Sequence, residues 1–298
     1  MDLDLAQLRA LAAVVAEGSF EAAARVLHVT PSAVSQRIRA LESSAGRVLL
    51  VRSRPVRPTE AGRAVLRLAR EVELLAAEAG RELGLDPGAG GRPPVLPVAV
   101  DADSLATWFL PALAPLAGEF CFDLRREDQA RTGELLREGT VVAAVTTEAE
   151  PVAGCTSIPL GRMHYRPCAT TGFAARWFPA GVGPDALGRA PVVVFDRDDD
   201  LQDTWLRRFG DLHPPRHHVP ATADFGEAVR QGFGWGMLLP EQVAASAPGD
   251  LVDLDPGGGV DVALHWQRWR IRSPALDRLS DAVLAVWRSP GARGTLRG

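Results

Sequence analysis

TPSAVSQRIRALE, from Thr30 to Glu42, is the stretch on which the reading of the chain turns. Thr30 is a good helix N-cap, and Pro31 suits the first helical position, where its missing N–H leaves nothing unpaired. Val34, Ile38 and Leu41 recur at i, i+4 and i+7 and predict one buried stripe. The other face carries Ser32, Ser35, Gln36 and Arg39, all hydrogen-bonding side chains, and Arg37 adds positive charge. Alone, this is equally an amphipathic surface helix or a helix made to lie in a DNA groove. Its neighbours decide between the two.

Upstream, Leu5, Leu8, Ala12 and Val15 share a face of a predicted helix that stops at Gly18. Ser19 can cap a second helix, Phe20 to Leu27, with Phe20, Ala23, Ala24 and Leu27 inward. His28 reads as a surface or packing residue. Two short helices joined tightly, the second with a polar face, predict a helix-turn-helix. Downstream, VLLVR (Val48 to Arg52) reads as a strand, and Pro55 and Pro58 confine any second strand to an edge. The result is a small wing carrying Arg52, Arg54 and Arg57 with no acid between them, a spacing suited to phosphates.

Thr59 then caps a long helix to about Leu83. Val65, Leu68, Val72, Leu75 and Ala79 follow a 3–4 spacing, read here as a coiled-coil seam between two chains. GLDPGAGGRPP, residues 84–94, is a breaker-rich linker. Beyond it, strands and helices alternate. LPVAV, Phe120 to Arg126 and VVAAVT are strands with helices from Ser104 to Leu116 and up to Gly139 between them. APVVVFD, helices near Asp203 and Asp224, and WGMLLP repeat the theme, and Ala275 to Trp287 is a closing helix with Leu276, Leu279, Val283 and Val286 inward. This alternation predicts α/β structure with a mainly parallel sheet.

The 298 residues carry a net charge of −4, so nucleic-acid binding has to be argued locally. Between Ser19 and Arg63 eight arginines face three glutamates, which makes a basic module on an acidic body. The chain has no lysine, which excludes lysine-nucleophile and Schiff-base chemistry. Cys121, Cys155 and Cys168 are odd in number and lack C-x-x-C spacing, so neither a disulfide framework nor a zinc site is expected. His213, His217 and His218 have no partner motif, and GFGWG (Gly232 to Gly236) precedes a strand, where a phosphate loop would follow one. No nucleophile elbow or metal motif points to an enzyme, and no cofactor is expected. No signal-peptide pattern and no membrane-length apolar run occur, so the expectation is a cytoplasmic protein without membrane contact.

GSFEAAARVLHVTPSAVSQRIRALE, GRVLLVR and PTEAG, in that order, resemble the N-terminal signature of LysR-type transcriptional regulators. DADSLATWFLPALAP, LLREG with AVTTE, and APVVVFDRDDD are similar to the branch of that family typified by LysG and ArgP, which respond to basic amino acids. Asp101 stands where that branch suggests Asn. The resemblance implies an α+β multidomain chain. Residues 1–58 would form a winged helix-turn-helix and 59–83 a linker and dimerisation helix. Residues 95–298 would form a two-lobed, periplasmic-binding-protein-like effector domain, with lobe I at 95–162 and 266–298 and lobe II at 163–265. It also implies binding to double-stranded DNA, a homodimer assembling to a homotetramer, contact with RNA polymerase, and activation of a lysine or arginine exporter gene.

Pro31, Ser32 and Gln36 are the candidate base readers, since Gln can contact adenine bidentately. Ser35, Arg37, Arg39, Arg52, Arg54 and Arg57 are the phosphate candidates. Ligands of α/β lobes sit at strand C-termini and helix N-termini. The effector candidates are therefore Asp103, Ser104, Glu127, Asp128, Thr146, Thr147, Asp196, Thr222 and Asp224. Their acidic excess suits a dibasic ligand, although several are also of the type that caps helices.

Overall fold

A computed structural model describes residues 4–83, 93–127, 132–244, 246–247, 249–288 and 296–297. The linker prediction at 84–92 and the candidate Asp128 lie outside the described residues. The chain divides into two compact units. The first comprises residues 1–101, 113–158 and 266–282, and the second comprises 102–112, 159–265 and 283–298.

The first unit begins with α1 (Leu5–Glu17), α2 (Phe20–Val26) and α3 (Pro31–Ala45). Their caps are those the residue types dictate. Ser19 Oγ accepts from Ala22 N at 3.1 Å and Thr30 Oγ1 from Ala33 N at 3.2 Å. Gly18 and Gly46 end α1 and α3 in the left-handed region, at φ 68° and 62°. Val34, Ile38 and Leu41 are fully buried, as the stripe predicts. In α1 the buried stripe runs through Leu8, Leu11 and Val14, whereas Leu5 is exposed. The wing is smaller than its sequence suggests: β1 (Leu50–Val51) pairs antiparallel with β2 (Arg57–Pro58). Val56 N donates to Gly18 O at 2.9 Å, so the wing is tied to the α1–α2 turn.

Helix α4 (Glu60–Glu82) starts where Thr59 Oγ1 accepts from Gly62 N. A Cβ on Gly62 would stand 1.9 Å from Leu49 O, so this first turn needs a glycine to pass the backbone just before β1. Val65, Leu66 and Ala69 are buried in the winged-helix core, and Val72 packs against it. The anticipated seam therefore splits. Val65 and Val72 serve the module's own core, while Leu75 and Ala79 remain exposed.

The same unit holds a parallel sheet in the order β4 (Cys121–Arg126), β3 (Val95–Val100), β5 (Ala143–Thr146), with Val98 opposite both Leu124 and Ala143. Short α7 (Thr132–Arg137) precedes β5. The helix expected from Ser104 to Leu116 is broken into α5 (Ala102–Ser104), a π-helix at Leu105–Phe109, α6 (Leu110–Leu113) and a 3₁₀ turn at Ala114–Leu116. Pro111 and Pro115 lie in this segment and cannot supply the N–H groups of a continuous helix.

Two long strands escape the sequence reading. β6 (Cys155–Thr170) and β11 (Val260–Trp269) each begin in one unit and end in the other. In the second unit, β6 pairs antiparallel with β9 (Gly236–Leu238) and β10 (Leu251–Asp253), so the sheet is mixed. β7 (Val192–Val194) pairs parallel with β8 (Arg216–His218). Around these lie α8 (Thr171–Trp177), α9 (Pro184–Leu187), α10 (Leu201–Leu206), α11 (Thr222–Arg230) and α12 (Pro240–Ala244). The core of this unit joins Cys168, Val193, Phe225, Val229 and Leu238. GFGWG joins the end of α11 to the start of β9 as a helix-to-strand turn, and Gly236 lets α11 approach, since a Cβ there would meet Val229 Cγ2 at 2.9 Å. The closing helix α13 (Pro274–Arg288) buries Leu276, Leu279 and Val283 completely.

Candidate nucleic-acid interface and effector residues

A groove of about 400 Å³ opens on the winged-helix module. From α3 it takes Pro31, Ser32, Ser35 and Arg39, and from the wing it takes Arg52, Ser53 and Arg54. Pro31, Ser32, Arg39, Arg52 and Arg54 are exposed. The Val56-to-Gly18 hydrogen bond brings the wing arginines beside the start of α2, so Ser19, Phe20 and Glu21 complete the wall. The Arg52 guanidinium lies over the Phe20 ring, 6.0 Å from its centroid, which limits the side chain's freedom before any ligand arrives. Glu21 is the one acid lining this groove, and it discourages phosphate on its own side.

Six of the nine DNA-binding candidates thus converge on one concavity. Gln36, Arg37 and Arg57 are not among its lining residues. Gln36 and Arg57 are exposed, Gln36 on the recognition helix and Arg57 at the wing's second strand, whereas Arg37 is half-buried. Phe20 and Ser53 escape sequence reasoning because no local pattern signals that the α2 start and the wing meet. Three arginines from two elements, the Ser32 and Ser35 hydroxyls of the first turns of α3 and an exposed Gln36 form a surface that can neutralise phosphates and reach base edges.

The effector candidates divide between the units. In the first, Glu127 follows β4 and Thr146 ends β5, with Thr147 next to it. Thr146 is fully buried, and its Oγ1 accepts from Glu148 N at 3.1 Å. In the second, Tyr165 donates its hydroxyl to Asp103 Oδ2 at 2.8 Å, and buried Ser104 lies 3.7 Å from Met163 Sδ. Asp196 Oδ1 accepts from the amides of Asp198 and Asp199, so this carboxylate also holds its own loop. Burial raises the Asp199 carboxyl above the usual range, although the amides of Phe195 and Leu201 donate to it. Thr222 opens α11 with its Oγ1 buried and without a hydrogen-bond partner among the described residues, and Asp224 is exposed within the first turn of the same helix. Two features near these residues have no signal in the sequence: Tyr165 on β6, and the Asp203–Arg216 pair at 2.5 Å, in which the carboxylate's hydrogen bonds raise the arginine.

A winged helix-turn-helix with a basic groove, a long helix and strand-end acids in an α/β body together define a DNA-binding regulator. Residues 5–63 match the family described as bacterial regulatory helix-turn-helix protein, lysR family, and residues 90–288 match the LysR substrate binding domain. The chain belongs to the LysR family of bacterial regulators. It is 46% identical to the HTH-type transcriptional regulator LysG of Mycobacterium tuberculosis, over 99% of this chain and 96% of that one. The crystal structure of ArgP from Mycobacterium tuberculosis superposes with a TM-score of 0.83 at 46% identity, covering 97% of this chain and 98% of the other. Full-length LysG from Corynebacterium glutamicum with bound effector Arg superposes with a TM-score of 0.74 at 39% identity, covering 96% and 98%.

Proposed function

We propose that this chain is a transcriptional activator that binds lysine or arginine and switches on a gene for exporting basic amino acids. The observation that carries the reading is its end-to-end similarity to a regulator whose solved structure has bound effector Arg. A dibasic ligand needs carboxylates for its two cationic groups and hydrogen-bond donors for its own carboxylate. Glu127 and Asp196 are the proposed partners for the cations, and Asp128 and Asp224 are further effector-binding candidates that add to the acidic excess. The backbone N–H groups at Asp103 and Ser104, with the Ser104 hydroxyl, are the proposed donors to the ligand carboxylate, and Thr146, Thr147 and Thr222 are further proposed polar contacts. Thr222 has the strongest support of these because its hydroxyl is buried and has no hydrogen-bond partner among the described residues.

On DNA, Pro31, Ser32 and Gln36 read bases, and Ser35, Arg37, Arg39, Arg52, Arg54 and Arg57 hold phosphates. The exposed side of α4, with Leu75 and Ala79, supplies a two-fold contact, which pairs two readers on successive half-sites. Two such dimers make a homotetramer that contacts RNA polymerase in the cytoplasm. The protein acts by binding and catalyses no reaction.

A second reading, a LysR-type regulator of another small metabolite, draws on Asp101. This residue is 3% exposed and places a carboxyl where the related branch suggests an amide. A thermal-shift screen of amino acids on the full chain separates the two. Saturating ligand at 100 times its Kd adds about 2.7 kcal/mol of stability. Stabilisation by arginine and lysine supports the first reading, and stabilisation by another metabolite alone overturns it. Calorimetry on Glu127→Gln combined with Asp196→Asn tests the cation partners, and unchanged arginine affinity removes both from the site.

A further inference from the structure

Arg67, on α4, engages all three of its guanidinium nitrogens and one face of the group. Its Nη1 donates to Ala153 O at 2.7 Å and its Nη2 to Gly154 O at 2.6 Å. Its Nε donates to Glu71 Oε1 at 3.2 Å, and the guanidinium lies over the Trp269 ring, 5.4 Å from its centroid. The bed is shaped for it. Gly154 has φ 74°, and a Cβ there would stand 2.5 Å from Arg67 Nη2. Gly139, at φ 69°, would place a Cβ 3.1 Å from the Arg67 backbone. Further along α4, buried Glu78 accepts from Ser273 Oγ at 2.5 Å and from Ala275 N at 3.2 Å, so the same helix also caps the start of α13.

The place of these contacts gives them meaning. Gly154 immediately precedes β6, and Trp269 is the last residue of β11. These are the two strands that run between the first unit and the second. Gly154 O also accepts from Arg270 N at 3.0 Å, so one carbonyl ties the start of β6, the exit of β11 and the linker helix together. The opposite side of α4 packs Val65, Leu66 and Ala69 into the DNA-binding core. One rigid helix therefore touches the reader on one side and the roots of both crossing strands on the other.

We propose that Arg67 is the positioning residue that couples effector occupancy to the DNA reader, by fastening α4 to the roots of β6 and β11. This rests on the effector-responsive reading above. Ligand-driven movement of β6 or β11 displaces the Ala153 and Gly154 carbonyls, and the bidentate guanidinium transfers that displacement to α4. Linkage requires the reverse as well: DNA that fixes α4 biases the strand roots and hence the effector affinity.

The test uses the full chain, L-arginine as probe and a DNA fragment selected by the wild-type protein. Calorimetry gives the arginine affinity, and fluorescence anisotropy with and without arginine gives the coupling factor. Arg67→Gln and Gly154→Ala should both keep arginine affinity and arginine-free DNA affinity, while the coupling factor falls towards one. Gly154→Ala retains the Arg67 charge and only displaces it, which separates loss of the latch from loss of a surface cation. A wild-type coupling factor in both variants overturns the proposal. So does loss of arginine affinity together with coupling, because Arg67 would then act in binding itself. A wild-type chain that ignores arginine defeats the effector reading, and the latch is then judged by hydrogen exchange. Effector-free variants must exchange faster than wild type at residues 153–157 and along 64–71, and equal exchange overturns the latch.

Discussion

The basic groove predicts a salt dependence that can be calculated from its lining. Arg39, Arg52 and Arg54 are its three cations, all exposed. On duplex DNA each arginine–phosphate pair contributes about 0.9 to the slope of log K against log salt. Replacing the three arginines by Gln should therefore flatten the slope by about 2.7 per bound protomer, or roughly 5 for a pair on two half-sites. Between 50 and 200 mM salt, each such pair accounts for a fall in affinity of about 3.5-fold, which the variant no longer shows. Fluorescence anisotropy across that salt range, on operator and on random duplex, measures both slopes. The triple variant should weaken both DNAs alike and keep the ratio between them. An unchanged slope, or a weakening confined to the operator, would refute the assignment of these three side chains to phosphates.

The recognition helix should behave in the opposite way. Gln36→Ala should cost roughly 1–3 kcal/mol on operator DNA and leave the salt slope unchanged, and equal losses on random DNA would remove its base-reading role. Thr30→Ala removes the cap on Ala33 N and should lower stability by about 1 kcal/mol in urea unfolding, and an unchanged midpoint would count against the cap. Glu73 on α4 has its carboxyl raised, by burial first, against the pull of Arg70 and Arg9. The folded state then holds its proton to higher pH than the unfolded chain, so this residue's contribution falls as pH rises from about 4.5. Glu73→Gln should accordingly gain melting temperature relative to wild type between pH 4.5 and 7, and a gain that shrinks with rising pH would contradict the sign.

Local chemistry makes the N-terminal module legible. Ser19, Thr30, Pro31, Gly18 and Gly46 act through neighbours within a few residues, and the structure places each at the helix end its type favours. The α4 seam divides differently from its spacing because a 3–4 repeat does not say which surface covers it. Val65 and Val72 meet the module's own α1 and α3 core, and the spacing is the same for an internal partner as for a second chain. β6 and β11 are invisible in the sequence for a different reason. CTSIPLGRMHYRPCAT and VDVALHWQRW mix charged, aromatic and small residues without clean alternation, because their neighbours change along their length. The site residues follow the same division. Arg39, Arg52 and Arg54 can be named from charge and spacing, but the Phe20 and Ser53 walls need the Val56-to-Gly18 bond, a contact 38 residues apart in the chain. For the effector, strand ends nominate Asp196 and Thr146, and only the folded chain reveals that both already hold backbone amides of their own loops.

The measurement that tests the central claim most directly is affinity capture of sheared genomic DNA from the source organism by the full-length protein, sequenced with and without L-arginine. The account predicts one dominant fragment bearing paired half-sites upstream of a gene for a multi-spanning membrane exporter, with a capture pattern that changes when arginine is added. A dominant fragment unrelated to amino-acid export, or a pattern indifferent to both arginine and lysine, would contradict it.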